Sequence, residues 1–292
     1  AGELFAANAD ALGSGTTTVL DGATLGLEGN ITVANEISLE SGAAFLSVQT
    51  GTSTLSGVIS SSGYANKVGS GTLSLTGDNT FGGINITVGE VLASSSTSLG
   101  AGTTTIADGA SLGLDGGLEI ANEVVVESGL AALSVDSGTS TLTGSVSGAG
   151  SVSKTGAGTL VFSAENTFES LNITSGEVLA ETSSSLGSGT TTLSDGTTLG
   201  LGASLDIANE IALDSGTGTF AVVSGSSTLS GSITGSALVN KTGSGTLALT
   251  GSNDFEGLTV SEGELFAGNT TGLGSGTVTV LDGATLGLQG NI

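Results

Sequence analysis

The stretch KVGSGTLSLTGDNTFGG, residues 67–83, contains the pattern from which the fold class is predicted. It combines glycine-rich corners with short runs in which aliphatic and hydroxyl residues alternate, and a lysine stands at its head. Similar stretches follow at residues 154–170, KTGAGTLVFSAENTFES, and at residues 241–257, KTGSGTLALTGSNDFEG. The three copies are 87 residues apart. The stretch therefore belongs to a tandem repeat and is not a single glycine-rich loop around one catalytic or phosphate-binding lysine.

The same 87-residue spacing runs through the whole chain. GELFA or GEVLA begins at Gly2, Gly89, Gly176 and Gly263, and no insertion breaks the register. We therefore predict one continuous solenoid over residues 1–292, cut from a longer array. Its repeats are 2–88, 89–175 and 176–262, with a partial fourth repeat at 263–292. A structural signature keeps the spacing in every full repeat: Lys67, Lys154, Lys241, Asn35, Asn122, Asn209, Phe81, Phe168 and Phe255.

Inside each repeat the hydrophobic pattern has a period of two. In ITVANEISLE, residues 31–40, Val33, Asn35 and Ile37 share one side of the chain, and Glu36 lies on the other. Such alternation predicts half-buried β-strands. An asparagine on the inward side needs hydrogen-bond partners, so we expect Asn35 and its two counterparts to bond the backbone at corners. Because these asparagines are about four coils apart, they are not expected to form a continuous ladder.

The spacing of the short strands predicts coils of about 20 residues. In the second repeat, similar segments begin again at Val91, Leu112, Leu142, Leu160 and Val178, and only the step from Leu112 to Leu142 is clearly longer than the others. These steps predict about four coils in each 87-residue repeat, with a loop or an extra partial turn inside the long step. The chain is thus expected to be all-β and a β-solenoid, because a β-sandwich gives no reason for a repeat without insertions.

The composition excludes several classes of function. The chain carries 27 acidic residues against 3 basic ones, a net charge of −24, and has neither histidine nor cysteine. Zinc sites built on Cys or His and Ser–His or Cys–His nucleophile pairs are therefore impossible. Nucleic acids and anionic membrane surfaces would be repelled. No apolar run approaches the length of a membrane-spanning helix, so we expect no membrane insertion in this segment.

The candidate site residues favour structural roles. We expect the three lysines to form ion pairs or to cover apolar surface with their stems. Asp21 and its counterparts precede glycine, which an Asx turn explains, and calcium-binding motifs are missing. Glutamates such as Glu36 and Glu40 recur on an outward face, which indicates solvation rather than a pair of catalytic carboxylates. We expect no catalytic residue, no metal site and no cofactor, with only weak Ca²⁺ association on the charged faces. With a single tyrosine, Tyr64, and no tryptophan, aromatic sugar platforms are scarce.

The repeated stretch and the strand after it, residues 57–94, resemble the passenger-associated transport repeat of bacterial autotransporters. The first copy matches the family pattern at Lys67, Gly69, Gly71, Thr72, Leu73, Leu75, Gly77, Asn79, Thr80 and Gly83. The second copy matches at Lys154, Gly156, Gly158, Thr159, Leu160, Asn166 and Thr167. The third matches at Lys241, Gly243, Gly245, Thr246, Leu247, Leu249, Gly251, Asn253 and Gly257. Phenylalanine replaces the usual tyrosine of the pattern, as at Phe81.

The resemblance implies a right-handed parallel β-helix that is exported and exposed at the bacterial outer-membrane cell surface. With the composition, it predicts a non-catalytic extracellular stalk or spacer segment of a large surface protein. Two alternatives stay open: an adhesin module for attachment to host or neighbouring cells, and a surface filament or sheath subunit that assembles end to end. The expected partners are accordingly neighbouring copies or cell-surface receptors.

Overall fold

The computed structural model describes residues 2–40 and 42–289 of the chain. They fall into two compact units, which lie within Ala1–Ser151 and Val152–Ile292. Throughout the described residues the regular secondary structure is β-strand, which confirms the predicted all-β class. Among these residues there is no helix that could span a bilayer.

The first unit is built from short strands, separated by corners rich in glycine, serine and asparagine. Its strands are β1 Glu3–Ala6, β2 Thr17–Val19, β3 Thr24–Leu27, β4 Thr32–Val33, β5 Ile37–Leu39, β6 Ala43–Val48, β7 Thr52–Leu55, β8 Ile59–Ser60, β9 Tyr64–Val68, β10 Thr72–Leu75, β11 Gly83–Ile86, β12 Glu90–Ala93, β13 Thr104–Ile106, β14 Ser111–Leu114, β15 Glu119–Ile120, β16 Val124–Val126, β17 Leu130–Ser134, β18 Thr139–Leu142 and β19 Val146–Ser147.

The strands from residue 151 onward follow the same plan. They are β20 Ser151–Thr155, β21 Thr159–Phe162, β22 Leu171–Ile173, β23 Glu177–Ala180, β24 Thr191–Leu193, β25 Thr198–Leu201, β26 Asp206–Ile207, β27 Ile211–Leu213, β28 Thr217–Val222, β29 Ser226–Leu229, β30 Ile233–Thr242, β31 Thr246–Leu249, β32 Asp254–Val260, β33 Glu264–Ala267, β34 Thr277–Val280 and β35 Thr285–Leu288. The last residues of the predicted partial fourth repeat, 290–292, lie outside the described residues.

In the first unit the strands stack as parallel neighbours in three rows. The first row runs β1-β3-β6-β9-β11-β13-β16-β19. The second runs β4-β7-β10-β12-β14-β17. The third holds β2-β5-β8 and, further along, β15-β18. Successive strands enter the rows in rotation, since β3, β4 and β5 each lie in a different row. The unit is therefore a three-sided parallel β-solenoid, and one circuit of the three rows is a coil.

The length of a coil follows from the register of the paired strands. Lys67 in β9 pairs with Leu46 in β6, one coil before it, and with Ile86 in β11, one coil after it. These intervals confirm the predicted coil of about 20 residues. The described chain contains about 14 turns.

The second unit has the same three-row plan. One row runs β20-β22-β24-β27, another β21-β23-β25-β28 and the third β26-β29-β31-β33-β35. The long strand β30 takes part in two rows: Ile233 pairs with Ile211 in β27, whereas Leu238 pairs with Thr217 in β28. The register shifts between Gly235 and Leu238, where β30 turns a corner of the solenoid.

Equivalent strands of successive repeats lie in different rows. In the first unit β1 and β3 pair in the first row, but β12 and β14, their counterparts in the next repeat, pair in the second row. In the second unit β23 pairs with β25 in one row, and their counterparts β33 and β35 pair in another. An 87-residue repeat thus contains about four coils, as predicted, and then advances the chain by one further side.

The long step between Leu112 and Leu142 contains a coil and a partial turn. Leu112 pairs with Leu133 of β17, and Leu142 belongs to a different row. Of the two predicted alternatives, the extra partial turn is therefore confirmed. The step from Val91 to Leu112 is confirmed as one coil, because these two residues pair directly.

The interior is lined by the aliphatic residues that the alternating sequence pattern predicted to face inward. Val33, Ile37 and Leu39 are buried, whereas Glu36 and Glu40 are exposed. Burial of one such aliphatic side chain contributes about 1.5–3 kcal/mol to folding. Large side chains also fill the interior, among them phenylalanines and, unexpectedly, all three lysines.

Candidate functional site

The three lysines lie inside the solenoid. Lys67, Lys154 and Lys241 are each 0% exposed. Lys67 occupies an inward position of β9, between the paired residues Leu46 and Ile86 of the coils on either side. A lysine is almost never fully buried unless its ammonium group is bound by acceptors. The position of these lysines therefore requires acceptors in the interior.

Backbone carbonyl oxygens supply those acceptors. The Nζ of Lys67 donates to the carbonyl oxygen of Gly69 at 2.6 Å and to that of Val88 at 3.0 Å. Gly69 is in the corner that follows β9, and Val88 is in the equivalent corner of the next coil. The side chain therefore ties two successive corners together. We call this arrangement the lysine cage.

The lysine cage recurs in the second unit. The Nζ of Lys154 donates to the carbonyls of Gly156 at 2.8 Å and Ser175 at 3.1 Å. The Nζ of Lys241 donates to the carbonyls of Thr242 at 2.8 Å, Gly243 at 2.7 Å and Glu262 at 3.1 Å. In each case one acceptor belongs to the lysine's own corner and another to the corner of the next coil.

The glycine after the second acceptor completes the cage. Gly89 has φ +76°, and a Cβ there would lie 2.5 Å from the carbonyl oxygen of Gly69 and 2.9 Å from the Nζ of Lys67. A side chain at residue 89 would therefore occupy the space that the ammonium group and its acceptors fill. This close approach explains why GEVLA begins with glycine.

Burial changes the acidity of the lysines. Removal of the ammonium group from water lowers the pKa of Lys67 from 10.5 to about 8, and the negative charge of Glu90 partly opposes this. Burial likewise lowers the pKa of Lys241, opposed by Glu262. The expectation of an ion pair is wrong for these two lysines, whose ammonium groups are bound by backbone carbonyls. They face inward, where the acceptors within reach are the carbonyls of two adjoining corners.

The signature asparagines also bond backbone at corners. The Nδ2 of Asn35 donates to the carbonyls of Gly13 at 2.9 Å and Gly15 at 2.8 Å, both in the preceding coil. The two counterparts repeat this geometry: Asn122 with Gly100 and Gly102, and Asn209 with Gly187 and Gly189. Such bonds satisfy carbonyls at corners, where the ladder between strands is interrupted.

The signature phenylalanines fill the interior beneath a glycine of the next coil. Phe81, Phe168 and Phe255 are buried. A Cβ at Gly100, which has φ +76°, would lie 2.6 Å from the ring of Phe81. Phe168 also contacts a second ring, that of Phe162, with centroids 5.9 Å apart. The phenylalanines are therefore packing residues.

A second set of asparagines links three coils, and the sequence pattern did not single it out as a site. The backbone N–H of Ile59, in the preceding coil, donates to the Oδ1 of Asn79 at 2.7 Å. The Nδ2 of Asn79 donates to the carbonyl of Ser98, in the following coil, at 2.6 Å. Asn253 makes the same two bonds, with Ile233 and Gly272. The only signal in the sequence was the place of these asparagines in the repeated motif.

The aspartates of the Asp–Gly pairs cap the next coil. The N–H of Ala43 donates to the Oδ1 of Asp21 at 2.8 Å, and the N–H of Leu130 donates to the Oδ1 of Asp108 at 2.9 Å. The carboxylates thus have a structural use between coils. In residues 2–40 and 42–289 there is no group of three or more acidic side chains that could hold a metal ion.

Comparisons with known proteins agree with this architecture. The passenger-associated-transport-repeat family model matches residues 66–110, 152–180 and 239–265. The chain is similar to a protein of Brucella suis biovar 1 (strain 1330) named "Adhesin BmaC autotransporter", with 29% identity over 304 aligned residues. That alignment covers 85% of this chain and 9% of the relative. No solved structure matches the chain.

The repeats and the fold agree on what this chain resembles. Each of the three matched segments begins at or just before a caged lysine and runs through the strands after it. Together with the parallel β-solenoid, these matches support a likeness to the passenger β-helix of autotransporters. Passengers of this kind are displayed outside the cell, at the outer-membrane surface, and this is the localisation the comparisons indicate.

Proposed function

We propose that the chain is a non-catalytic stalk or spacer segment of a surface-displayed passenger. The observation that carries this proposal is the lysine cage, because it repeats every 87 residues and joins adjoining coils rather than facing solvent. The repeated residues with the most distinctive chemistry are thus used to hold coils together. A segment whose repeats all serve cohesion is suited to setting a distance.

The distribution of acidic groups supports a role without catalysis. Glu36 and Glu40 are exposed, and the Thr16 hydroxyl donates to the Glu36 carboxylate at 3.1 Å. A groove lined by Glu90, Asp115 and Asp136 holds about 220 Å³, below the usual 300–1,000 Å³ of a small-molecule site. Asp115 and Asp136 have no counterparts in the third repeat, where Gly202 and Val223 stand. These acids are therefore better explained as a charged outer surface that keeps neighbouring molecules apart.

The spacer proposal is tested by changing the number of repeats in the full-length protein. Deletion of residues 89–175 removes one whole repeat, which is about four coils and one further side, or about 20 Å at about 4.8 Å per coil. Duplication of the same residues lengthens the segment by the same distance. We expect the distance between the cell surface and an epitope beyond the repeats to fall and rise by these amounts in atomic force measurements. If the distance between the cell surface and the epitope is unchanged in both variants, the spacer proposal is wrong.

A second function, that of an adhesive module, is favoured by the relative, which is named as an adhesin. In that case an outer face of the repeats would bind receptors or neighbouring copies. Binding of the isolated 292-residue chain to host or bacterial cells would support adhesion. Retained binding by a full-length protein that lacks residues 89–175 and 176–262 would instead locate adhesion elsewhere. One continuous solenoid over residues 1–292 stays a prediction, as does weak Ca²⁺ association.

A further inference from the structure

Tyr64, the single tyrosine of the chain, lies on an outer face of the first unit. It is 45% exposed and begins β9. Its ring lies over Gly83, the paired residue in the next coil, where a Cβ would be 2.6 Å from Cε1 of the ring. The glycine thus lets an aromatic ring rest on the sheet surface while much of the ring stays open to solvent.

An amide pair lies beside this ring. Asn66 is two positions after Tyr64 and therefore on the same side of β9, and it pairs with Asn85 of β11. The Nδ2 of Asn85 donates to the Oδ1 of Asn66 at 2.9 Å. Within the described residues the Oδ1 of Asn85 accepts no hydrogen bond, nor does the hydroxyl of Thr105, its paired residue in the next coil, form one. The face therefore offers an ordered row of amide and hydroxyl groups with unused capacity.

Asn66, Asn85 and Thr105 line a groove of about 310 Å³, and Tyr64 lies on the same face, two positions before Asn66 and outside that lining. Its lining includes Asn66, Asn85, Thr87, Thr105, Ala107 and Glu127. Glu127 is the ionisable residue of this lining, and Lys67, the basic residue nearest in sequence, is fully buried. An anionic ligand would meet a carboxylate here without a compensating cation, on a chain whose net charge is −24.

The other repeats lack this combination. Leu238 stands at the position of Tyr64 and covers Gly257 in the same way, with its Cδ2 3.0 Å from where a Cβ would be. Beside it, the hydroxyl of Ser261 donates to the Oδ1 of Asn240 at 2.6 Å, and Thr259 replaces Asn85. In the second repeat a serine, Ser151, replaces the tyrosine. Cohesion of the coils therefore does not require the tyrosine or the amide pair.

We propose that the face formed by Tyr64, Asn66, Asn85 and Thr105 binds an uncharged saccharide. The aliphatic C–H face of a sugar ring packs on an exposed aromatic ring, and amide and hydroxyl groups satisfy its hydroxyls. The acidic surroundings reject sialylated or sulfated glycans. This site is independent of the spacer role, so its loss would leave the spacer proposal intact.

The intrinsic fluorescence of the chain tests the site directly. Because the chain has one tyrosine and no tryptophan, its tyrosine emission reports Tyr64 alone. We expect saturable changes in emission when neutral gluco-, manno- or N-acetylglucosamine oligosaccharides are added, and none with sialylated or sulfated ones. An equal response to the anionic glycans, or no response to any neutral one, would overturn the proposal.

Variants taken from the chain's own repeats test the residues without threatening the fold. Tyr64→Leu copies residue 238 and Asn85→Thr copies residue 259. We expect each to weaken binding by about tenfold or more in calorimetry or on a neutral glycan array. The matched control, Leu238→Ala, changes the equivalent position in the third repeat and should leave binding unchanged. Equal affinity of Tyr64→Leu and the unaltered chain would contradict the assignment.

Discussion

The ammonium nitrogen of Lys67 lies 3.0 Å from the carbonyl oxygen of Val88, which is 21 residues further along the chain and one coil on. The same nitrogen is 2.6 Å from the carbonyl oxygen of Gly69 in its own corner. Carbonyls at a corner lie outside the regular strand ladder, so a donor must reach them from elsewhere. The lysine stem reaches both corners from within the coil, and it joins them in addition to the backbone hydrogen bond from the Thr87 N–H to the Lys67 carbonyl.

Replacement of this lysine by methionine should destabilise the solenoid. Lys67→Met keeps the apolar stem but leaves the carbonyls of Gly69 and Val88 without their donor. We expect the free energy of unfolding to fall by about 2 kcal/mol, since an unsatisfied buried acceptor costs about 1–3 kcal/mol. Urea denaturation followed by circular dichroism measures the change. Glu40→Gln, on the exposed side of the chain, is the control, and an equal effect of the two substitutions would contradict the cage.

The titration of Lys67 should contribute to the pH dependence of the free energy of unfolding. In the native state its pKa is about 8, whereas the unfolded chain holds the proton up to about 10.5. Between these values the unfolded state binds more protons, so a rise in pH favours the native state. The contribution of Lys67 should therefore grow with pH from about 8 to 10.5, at no more than about 1.4 kcal/mol per pH unit.

This contribution is isolated by comparing the unaltered chain with Lys67→Met across the same pH range. All other titrating groups are common to the two proteins and cancel in the difference. We expect the stability difference between them to widen as pH rises. A difference that narrows over the window would show that the lysine is more basic in the folded protein than in the unfolded one.

A matched pair of glycine substitutions separates crowding from backbone strain. Gly89 and Gly109 both have positive φ, +76° and +72°, so alanine is strained at either position. A Cβ at Gly89 would lie within 2.9 Å of the cage atoms, whereas a Cβ at Gly109 meets nothing within 4 Å. We expect Gly109→Ala to cost about 1 kcal/mol and Gly89→Ala clearly more in thermal unfolding. Equal costs would mean that the cage has room to adjust.

Two buried hydroxyls should be dispensable. The Oγ1 atoms of Thr104 and Thr191, at equivalent positions of two repeats, are buried and have no hydrogen-bond partner among the described residues. The partial fourth repeat has Val278 at this position. We expect Thr191→Val to leave stability unchanged or raise it by about 1 kcal/mol, because an unsatisfied hydroxyl is removed at nearly constant volume. Thr192→Val, on the outward side, is the control, and a marked loss for Thr191→Val would reveal a hidden partner.

The sequence pattern was sufficient to predict the fold class and the inward residues. Alternation placed Ile37 inside and Glu36 outside, and both positions are confirmed. The exact repeat also predicted the number of coils to within one side of the solenoid. The sequence could not show that each repeat also advances the chain by one further side, because the coils differ in length. The coil from Leu46 to Lys67 is longer than the coil from Lys67 to Ile86.

The lysine cage could not be predicted because its acceptors are not encoded as polar residues. Any amino acid supplies a carbonyl, and the acceptors of Lys67 come from Gly69 and Val88, neither of which has a polar side chain. A lysine in an acidic chain therefore indicated an ion pair. By contrast, Asn35 was correctly expected to bond backbone at a corner, because an inward amide among aliphatic residues has few other partners.

The change of row between equivalent strands has a consequence for how the array can vary in length. Because β12 stands in a different row from β1, a surface feature encoded once per repeat faces a new direction in the next repeat. Gain or loss of a single repeat by recombination would therefore alter the orientation of everything beyond it as well as its distance. Selection on the direction in which a segment beyond the repeats faces would favour the gain or loss of several repeats at once. Selection on its distance from the cell surface alone would tolerate the gain or loss of a single repeat.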